Sequence, residues 1–294
     1  RPTQKLSSDQ LRPVPADYPD PLLEANCIDV AANDAQPVWI TVRVPVDATP
    51  GTFSATVGLI GQVDGKDAKA TQKLTLRVFP ATITKTRLHV TEWFGMNTAH
   101  MKIKPEKNSE EYYALLRKFA RNMAEHRHNV ALISPTGHAQ FGVDANGGLT
   151  VDFSEFDRWV SIFVEEGVIG TIEGGHIGWR SGGWTSTFHV EVYQAKDGKA
   201  VSSMVDPASA EADAFFAWYY PKLVEHLRGK GWFDRYLQHL GDEPIPPNLK
   251  SYQAMAALTR KYAPGLRIVE ACHASDLAGS MDVWVPQLNY LKNE

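Results

Sequence analysis

The sequence predicts an N-terminal β-sandwich followed by an α/β domain with the (β/α)8 TIM-type barrel fold, and three observations lead to this fold class. Short segments with alternating apolar and polar residues, separated by turn residues, fill residues 1–85, which is typical of a sandwich. From residue 86 onward, apolar segments alternate with amphipathic helical ones, which indicates a parallel sheet covered by helices. Polar and aromatic side chains follow these apolar segments, where barrel enzymes carry their active sites.

The sandwich prediction rests on three alternating segments, at residues 38–44, 52–60 and 71–79. Pro50-Gly51 and Asp64-Gly65 supply the turns between them, because proline presets φ and glycine accepts a positive φ. We therefore expect residues 1–85 to form a β-sandwich module that is incomplete at its N-terminus.

The barrel prediction rests on six apolar strands and four helices in residues 86–294. The strands are expected at residues 87–91, 129–134, 170–174, 236–240, 266–271 and 281–285. The helices are expected at residues 109–127, 154–167, 206–229 and 249–262. A complete barrel takes about 250 residues, so we expect its first six βα units and a truncated C-terminal end. A doubly wound sheet is the alternative, but no glycine-rich phosphate loop opens any helix.

Composition excludes several classes of protein. A net charge of −4 and the absence of a Lys/Arg block argue against a nucleic-acid partner. No apolar run reaches the roughly 18 residues of a membrane span. Cys27 and Cys272 are too few and too far apart for a metal site or a disulfide framework. Arg1-Pro2-Thr3-Gln4 shows no signal peptide, but a mature secreted chain would look the same.

The sharpest local feature is the segment Gln238-His239-Leu240-Gly241-Asp242-Glu243-Pro244, at the end of a predicted buried strand. Neighbouring side chains in a continuing strand point to opposite faces. Between Gly241 and Pro244, however, the backbone can turn so that both carboxylates reach one ligand. Two carboxylates held close together suit an acid that works beside an anion. A solvated acid pair that caps the following helix is the alternative interpretation.

This acid pair resembles the catalytic Asp-Glu motif of glycoside hydrolase family 123, the N-acetyl-β-galactosaminidases. It is more distantly similar to the His-x-Gly-Gly-Asp-Glu strand end of the family 20 hexosaminidases. The segments Trp39 to Pro45 and Pro50-Gly51-Thr52-Phe53 also resemble the Trp-x-x-Val-x-Val-Pro…Pro-Gly-x-aromatic signature of the family 123 sandwich. The resemblance spans residues 20 to 294.

The resemblance implies a glycosidase that removes terminal β-linked N-acetylhexosamine, above all N-acetylgalactosamine, from a glycan or glycolipid. Its catalysis would be retaining and substrate-assisted, an exception to the two-carboxylate scheme. The 2-acetamido oxygen of the substrate would be the nucleophile and form an oxazolinium intermediate. Asp242 would hold and polarise the acetamido N–H, and Glu243 would act as general acid and then base. The resemblance also implies a secreted, periplasmic or cell-surface location.

Other polar and aromatic residues at the predicted strand ends are candidates for sugar binding, because a flat ring matches the apolar face of a pyranose. Each could instead be a packing or capping residue, and His239 could be a hydrogen-bonded histidine of the barrel core. Trp184 is an alternative to Trp179 in the same loop. Glu270 and His273 could reach the site or only close their strand. The substrate-binding candidates are Trp93, Asn97, His176, Trp179, His239, Trp284, Gln287, Asn289 and Tyr290.

Two functions of other classes stay open at this point. A metal-dependent barrel hydrolase would carry a His-x-His motif near the end of its first strand, but His89 is followed by Val90 and Thr91. A non-catalytic carbohydrate-binding protein could keep the barrel without turnover. For the favoured glycosidase, we expect no cofactor and no metal ion.

Overall fold

The computed structural model describes residues 27–83, 87–96, 104–272 and 275–288. The chain divides into two compact units, Arg1–Thr84 and Lys85–Glu294. In the described ranges the strands, in chain order, are β1 (Gly51–Val63), β2 (Lys66–Val78), β3 (Val130–Leu132), β4 (Gln140–Val143), β5 (Leu149–Asp152), β6 (Thr171–Gly174), β7 (Gly178–Arg180), β8 (Phe188–Lys196), β9 (Lys199–Val205), β10 (Tyr236–Gln238), β11 (Arg267–Glu270) and β12 (Val283–Trp284). The α-helices are α1 (Glu110–Glu125), α2 (Pro135–His138), α3 (Ser154–Glu165), α4 (Ala210–Gly229) and α5 (Leu249–Tyr262).

In its described part, the first unit contains one antiparallel hairpin. β1 and β2 pair along their full lengths around Asp64-Gly65, which both have positive φ as a two-residue hairpin turn requires. Two of the three predicted strands are thus confirmed. The strand predicted at residues 38–44 is wrong, because this segment forms no β-ladder with a described strand and alternation makes a strand only where a partner strand exists. A single hairpin does not amount to the predicted sandwich.

The predicted helices of the second unit are confirmed. Their first residues show why the helices could be predicted from the local sequence. The hydroxyl of Ser109 accepts the backbone N–H of Tyr112 and caps α1, and Ser209 caps α4 in the same way. α3 differs in detail, because Phe153 occupies its cap position and Ser154 is already helical. None of the described helices has the combination of length and apolar character that crossing a membrane requires.

The second unit is built on a five-stranded parallel sheet with the order β12-β11-β10-β6-β3. Each of these strands lies beside the next parallel strand along the chain, without the reversal that marks a doubly wound sheet. The strand predicted at residues 87–91 is not formed, although Asn129 binds this segment through the backbone of Leu88 and Val90. The structure is therefore a mixed α/β fold with a parallel sheet, and the described strands do not close a complete barrel.

An antiparallel sheet, β7-β8-β9, is inserted between β6 and α4 and is absent from the predicted elements. A local signal for it exists in the sequence. Phe188, Val190 and Val192 alternate and are all buried, and Asp197-Gly198 forms a turn with positive φ at both residues. This insertion matters for the site, because β7 and its following loop reach the segment after β10.

The core of the second unit lies between the helices and the parallel sheet and is rich in aromatic residues. Leu116 of α1, Phe156 and Phe163 of α3 and Tyr220 of α4 are fully buried in one cluster. Burial of each such side chain contributes about 1.5–3 kcal/mol, and Leu116→Ala should cost about 2–5 kcal/mol of unfolding free energy. This packing fixes the sheet whose strand ends carry the candidate site.

Candidate active site

The carboxyl ends of β6, β10 and β11 bring three ionisable side chains together beneath the acid pair. Glu173 lies near the end of β6, His239 directly follows β10, and Glu270 ends β11. Their exposed fractions are only 5%, 2% and 0%. Buried ionisable groups need partners, so their contacts explain both the fold and the charge at this edge of the sheet.

Glu270 accepts hydrogen bonds on both carboxylate oxygens. Its Oε1 lies 2.9 Å from Nδ1 of His239 and 3.3 Å from Nε2 of His176. Its Oε2 accepts the backbone N–H groups of Leu240 and Gly241, each at 3.2 Å. The carboxylate at the end of β11 therefore anchors the backbone that leads from the neighbouring strand, β10, to Asp242 and Glu243.

His239 lies between two carboxylates. Its second ring nitrogen, Nε2, is 3.7 Å from Oε2 of Glu173, which also accepts the hydroxyl of Thr91 at 3.0 Å. Burial alone lowers the pKa of His239, but the interactions with Glu173 and Glu270 outweigh burial and raise this pKa to about 9. Burial conversely raises the pKa of Glu270, and the bonds from His176 and His239 outweigh it and lower the pKa. The pair is charged at neutral pH.

Trp93 covers this cluster. Its indole makes edge-to-face contacts with the imidazoles of His176 and His239, at centroid distances of 5.2 and 5.3 Å. The indole is nevertheless 46% exposed. A half-exposed aromatic ring fixed by two imidazoles offers an apolar surface on which a sugar ring can lie.

Asp242 and Glu243 follow β10 at this edge of the sheet. Asp242 is half-buried and Glu243 is exposed, and neither carboxylate has a hydrogen-bond or ion-pair partner in the described ranges. Glu243 has a φ of 42°, in the left-handed region that non-glycine residues rarely adopt. Such a conformation costs on the order of 1–3 kcal/mol and persists only where the surroundings impose it.

Arg180, the last residue of β7, supplies part of that constraint. Its Nη2 donates to the carbonyl oxygen of Glu243 at 2.9 Å, and its Nε donates to the carbonyl oxygen of Trp184 at 2.8 Å. Downstream, the side chain of Asn248 accepts the N–H of Ile245 at 2.8 Å. The inserted sheet and the start of α5 thus hold the acid-bearing loop from two sides.

Gly241 is required here by space and not by its φ. A Cβ atom at this position would lie 2.8 Å from the ring of Phe188, closer than packed atoms approach. Gly241 was predicted to let the chain turn before the two acids. The structure shows instead that a glycine is needed here because the backbone packs closely against β8. The left-handed residue of the turn is Glu243 itself.

The other predicted site residues are placed as follows. Trp284 lies in β12 opposite Glu270 and packs against the core, whereas Gln287 is exposed beyond β12. Trp179 is half-exposed on β7, on the strand face opposite Gly178 and Arg180. His176, His239 and Trp93 form one cluster, as described above. The remaining candidates, which lie outside the described residues, are Asn97, Asn289 and Tyr290.

Two residues of the site were not among the candidates. Glu173 had a usable signal, because an ionisable residue inside a short apolar strand needs a buried partner. No local signal in the sequence pointed to Arg180, because its bond to the carbonyl oxygen of Glu243 joins residues 63 positions apart.

His176, His239 and Glu270 also offer ligand atoms within 4.8 Å of one another, close enough to hold a metal ion. A metal ligand must be an unprotonated imidazole nitrogen or a carboxylate oxygen. Glu270 already lies within hydrogen-bond distance of both imidazoles, and the pKa of His239 is raised to about 9, so a metal ion would have to displace a proton from this imidazole. The donor set therefore suits a hydrogen-bonded ion pair better than a metal site.

Comparison with known proteins identifies a family and a similar fold. The profile described as "Glycoside hydrolase 123, catalytic domain" matches residues 93–290. A similar solved structure comes from a study of glycolipid glycan hydrolysis by a family 123 glycoside hydrolase from Clostridium perfringens. The two structures superpose with a TM-score of 0.65 at 17% sequence identity, over 85% of this chain and 46% of that chain.

At this identity the likeness to the solved structure shows a shared fold, and the present chain spans less than half the length of that protein. Comparison with curated proteins gave no match. The profile match, by contrast, covers more than half of the sequence and confirms the resemblance to this family. The chain belongs to glycoside hydrolase family 123.

Proposed function

We propose that this chain is the catalytic part of a retaining β-N-acetylhexosaminidase that releases terminal N-acetylgalactosamine from a glycan or glycolipid. One observation carries the proposal. Asp242 and Glu243 follow a central parallel strand, and neither carboxylate has a hydrogen-bond or ion-pair partner among the described residues. His239, at the same strand end, contacts the half-exposed ring of Trp93. Carboxylates without such a partner are available to a ligand.

The proposed reaction has two steps. In the first, the 2-acetamido oxygen of the substrate attacks C1, the bond from C1 to the leaving oxygen breaks, and Glu243 gives its proton to that oxygen. Asp242 accepts the acetamido N–H and balances the positive charge that develops on the oxazolinium ring. In the second step water attacks C1, the ring opens, and Glu243 takes the proton back. Two inversions at C1 give net retention.

The buried cluster supports this chemistry without taking part in it. Glu270 fixes the backbone that leads to the acids, and the imidazolium of His239 fixes Trp93 from below. A sugar that lies on Trp93 would then present its anomeric carbon to a rigid acid pair. Preorganisation of this kind reduces the reorganisation needed to reach the transition state.

The proposal extends to the fold and the location. The sequential parallel order of the described sheet is that of an arc of a (β/α)8 barrel, and we propose that the whole catalytic domain closes such a barrel. Active sites of barrels lie at the carboxyl ends of the strands, where Asp242 and Glu243 are found. We also propose a secreted, periplasmic or cell-surface location.

The test compares nitrophenyl glycosides that carry a 2-acetamido group with the same sugars carrying a 2-hydroxyl group. The protein should cleave the acetamido sugars alone, because the hydroxyl sugars lack the nucleophile. Glu243→Gln should lower kcat by about 10²–10⁴-fold on substrates with poor leaving groups and less on nitrophenyl glycosides. Glu225→Gln, an exposed glutamate on α4, is the matched control. Equal losses on both kinds of leaving group would exclude Glu243 as the acid.

A metal-dependent hydrolase is the second candidate, because the ligand atoms of His176, His239 and Glu270 lie close together. Such an enzyme should lose activity after dialysis against a chelator and regain it with a divalent transition metal. The proposed glycosidase should keep its activity through the same treatment. Metal content of the purified protein provides an independent check.

A further inference from the structure

Trp184 occupies a special place in the loop between β7 and β8. The guanidinium of Arg180 lies over one face of its indole, 3.8 Å from the ring centroid. The same guanidinium binds the backbone oxygens of both Trp184 and Glu243. One cation therefore joins this loop to the proposed general acid.

The ring of Trp184 is held but not covered. It is 52% exposed although one of its faces carries the Arg180 guanidinium. Asn248 also binds this loop, through the carbonyl oxygens of Trp184 and Ser186 at 3.4 and 3.3 Å. The loop that carries the ring is thus held by Arg180 and Asn248, while about half of the Trp184 surface stays open to solvent.

We infer that Trp184 is a stacking platform for the sugar on the leaving-group side of the scissile bond. The inference rests on the proposed function, because it uses Glu243 as the general acid. A general acid must lie beside the oxygen it protonates, and that oxygen belongs to the leaving group. Because the guanidinium that lies over Trp184 also binds the backbone oxygen of Glu243, the ring lies near the acid, and we assign it to the leaving-group side.

The platform is distinct from the surface that holds the N-acetylhexosamine. Trp93 lies against His176 and His239 at the ends of β6 and β10, whereas Trp184 lies against Arg180 in the inserted sheet. Two separate aromatic surfaces suit two adjoining sugar rings. The ligand class is thus a pyranose that carries the β-linked N-acetylhexosamine.

The experiment compares Trp184→Ala with wild type on two substrates that share the N-acetylgalactosamine. One is the β-glycosyl fluoride, whose leaving group is a single atom and cannot contact the platform. The other is the fastest-cleaved member of a set of disaccharides with the β-linkage to O3, O4 or O6 of a hexose. Trp184→Ala should lower kcat/KM on the disaccharide about tenfold and leave the fluoride within about twofold.

Two further variants test whether the effect is due to the flat ring of Trp184. Trp184→Phe retains a flat ring and should restore most of the disaccharide activity, and Trp39→Ala removes an exposed tryptophan of the first unit as a control. Melting temperatures of all variants should stay near that of wild type, because the Trp184 side chain is half in solvent. Equal losses on the fluoride and the disaccharide, or no loss on either, would overturn the platform. A wild-type protein that cleaves neither substrate would instead refute the proposed function, and this inference with it.

Discussion

His239 and Glu270 form a buried ion pair, with Nδ1 of the imidazole 2.9 Å from Oε1 of the carboxylate. His239 directly follows β10 and Glu270 is the last residue of the neighbouring β11, so their bond joins two strand ends at the edge that carries the acid pair. Removing one partner of a buried pair leaves the other charged and unsatisfied, which typically costs about 3–5 kcal/mol.

The first prediction concerns the dependence of stability on pH. The pKa of His239 rises from 6.5 to about 9 on folding, so its contribution is complete below about pH 6.5 and is lost as the pH rises through about 9. The contribution should amount to roughly 3 kcal/mol. The pKa of Glu270 is lowered on folding, so its contribution is present above its ordinary value of 4.5 and is lost at more acidic pH.

The measurement is urea unfolding of wild type and His239→Gln between pH 5.5 and 9.5. The difference in unfolding free energy between the two proteins should be largest below about pH 6.5 and shrink progressively as the pH rises from about 6.5 to 9. A difference that does not change with pH would show that His239 is not held as an imidazolium.

The second prediction separates the two carboxylates that flank His239. Both carboxylate oxygens of Glu270 accept N–H groups, from His239 on one side and from Leu240 and Gly241 on the other. Glu270→Gln replaces one oxygen by an NH2 group, which cannot accept these bonds, and so weakens the hold on the backbone of Leu240 and Gly241. We expect a loss of about 2–4 kcal/mol in stability and a clear fall in kcat. Glu173→Gln is the matched variant, because Glu173 faces His239 but does not bind the backbone of Leu240 or Gly241.

The two variants should therefore differ in catalysis more than in stability. Urea unfolding and kcat on an N-acetylhexosaminide provide the comparison, with KM measured in parallel. If both variants lose kcat equally, the anchoring of the acid-bearing segment by Glu270 has no special role.

The third prediction concerns Arg180→Lys. A lysine keeps the charge but cannot donate to the carbonyl oxygens of Trp184 and Glu243 in a fixed fork. The left-handed backbone of Glu243 then loses a constraint, and kcat should fall about tenfold while stability changes by less than about 1 kcal/mol. Arg158→Lys is the control, because Arg158 also stacks on a ring and binds an oxygen, but on α3. Unchanged kcat in Arg180→Lys would contradict the bracing role.

The fourth prediction tests the substrate-assisted step through Asp242. An N-acetylhexosamine-thiazoline resembles the oxazolinium intermediate and should bind far more tightly than the parent sugar. Asp242→Asn keeps the shape and removes the charge, so it should weaken thiazoline inhibition and kcat together and leave the affinity for the parent sugar nearly unchanged.

Melting temperature distinguishes this role from a purely structural one. The carboxylate of Asp242 accepts no N–H from the described residues that follow it, and Asn248 is the cap residue of α5, so Asp242→Asn should leave the melting temperature near that of wild type. Unchanged thiazoline inhibition with a lowered melting temperature would be incompatible with the proposed role.

The parts of the fold that depend on neighbouring residues were accessible from the sequence. Ser109 marks the start of α1 because its hydroxyl binds an N–H three residues away, and the acid pair was located because it directly follows an apolar strand. Apolar and polar residues alternate in residues 38–44 as clearly as in β1, yet this segment forms no β-ladder with a described strand. Alternation shows that a strand is possible, but the strand forms only where a neighbouring strand is available.

The electrostatics of the site could not be predicted in this way. His239 and Glu270 are separated by 31 residues, and the bond between them exists because β10 and β11 are adjacent in the sheet. His239 alone is compatible with a core residue, a ligand or a base. Arg180 likewise acquires its role only when β7 is placed beside the segment after β10.

The left-handed backbone of Glu243 lies at the residue proposed as the general acid, so backbone strain and the proposed activity meet at one position. Glycine and asparagine adopt this conformation more readily than glutamate. Glu243→Asn should accordingly raise the melting temperature while it lowers kcat by about 10²–10⁴-fold. Under the proposed mechanism, the stability that this variant gains measures the cost of placing the acid at this point of the chain.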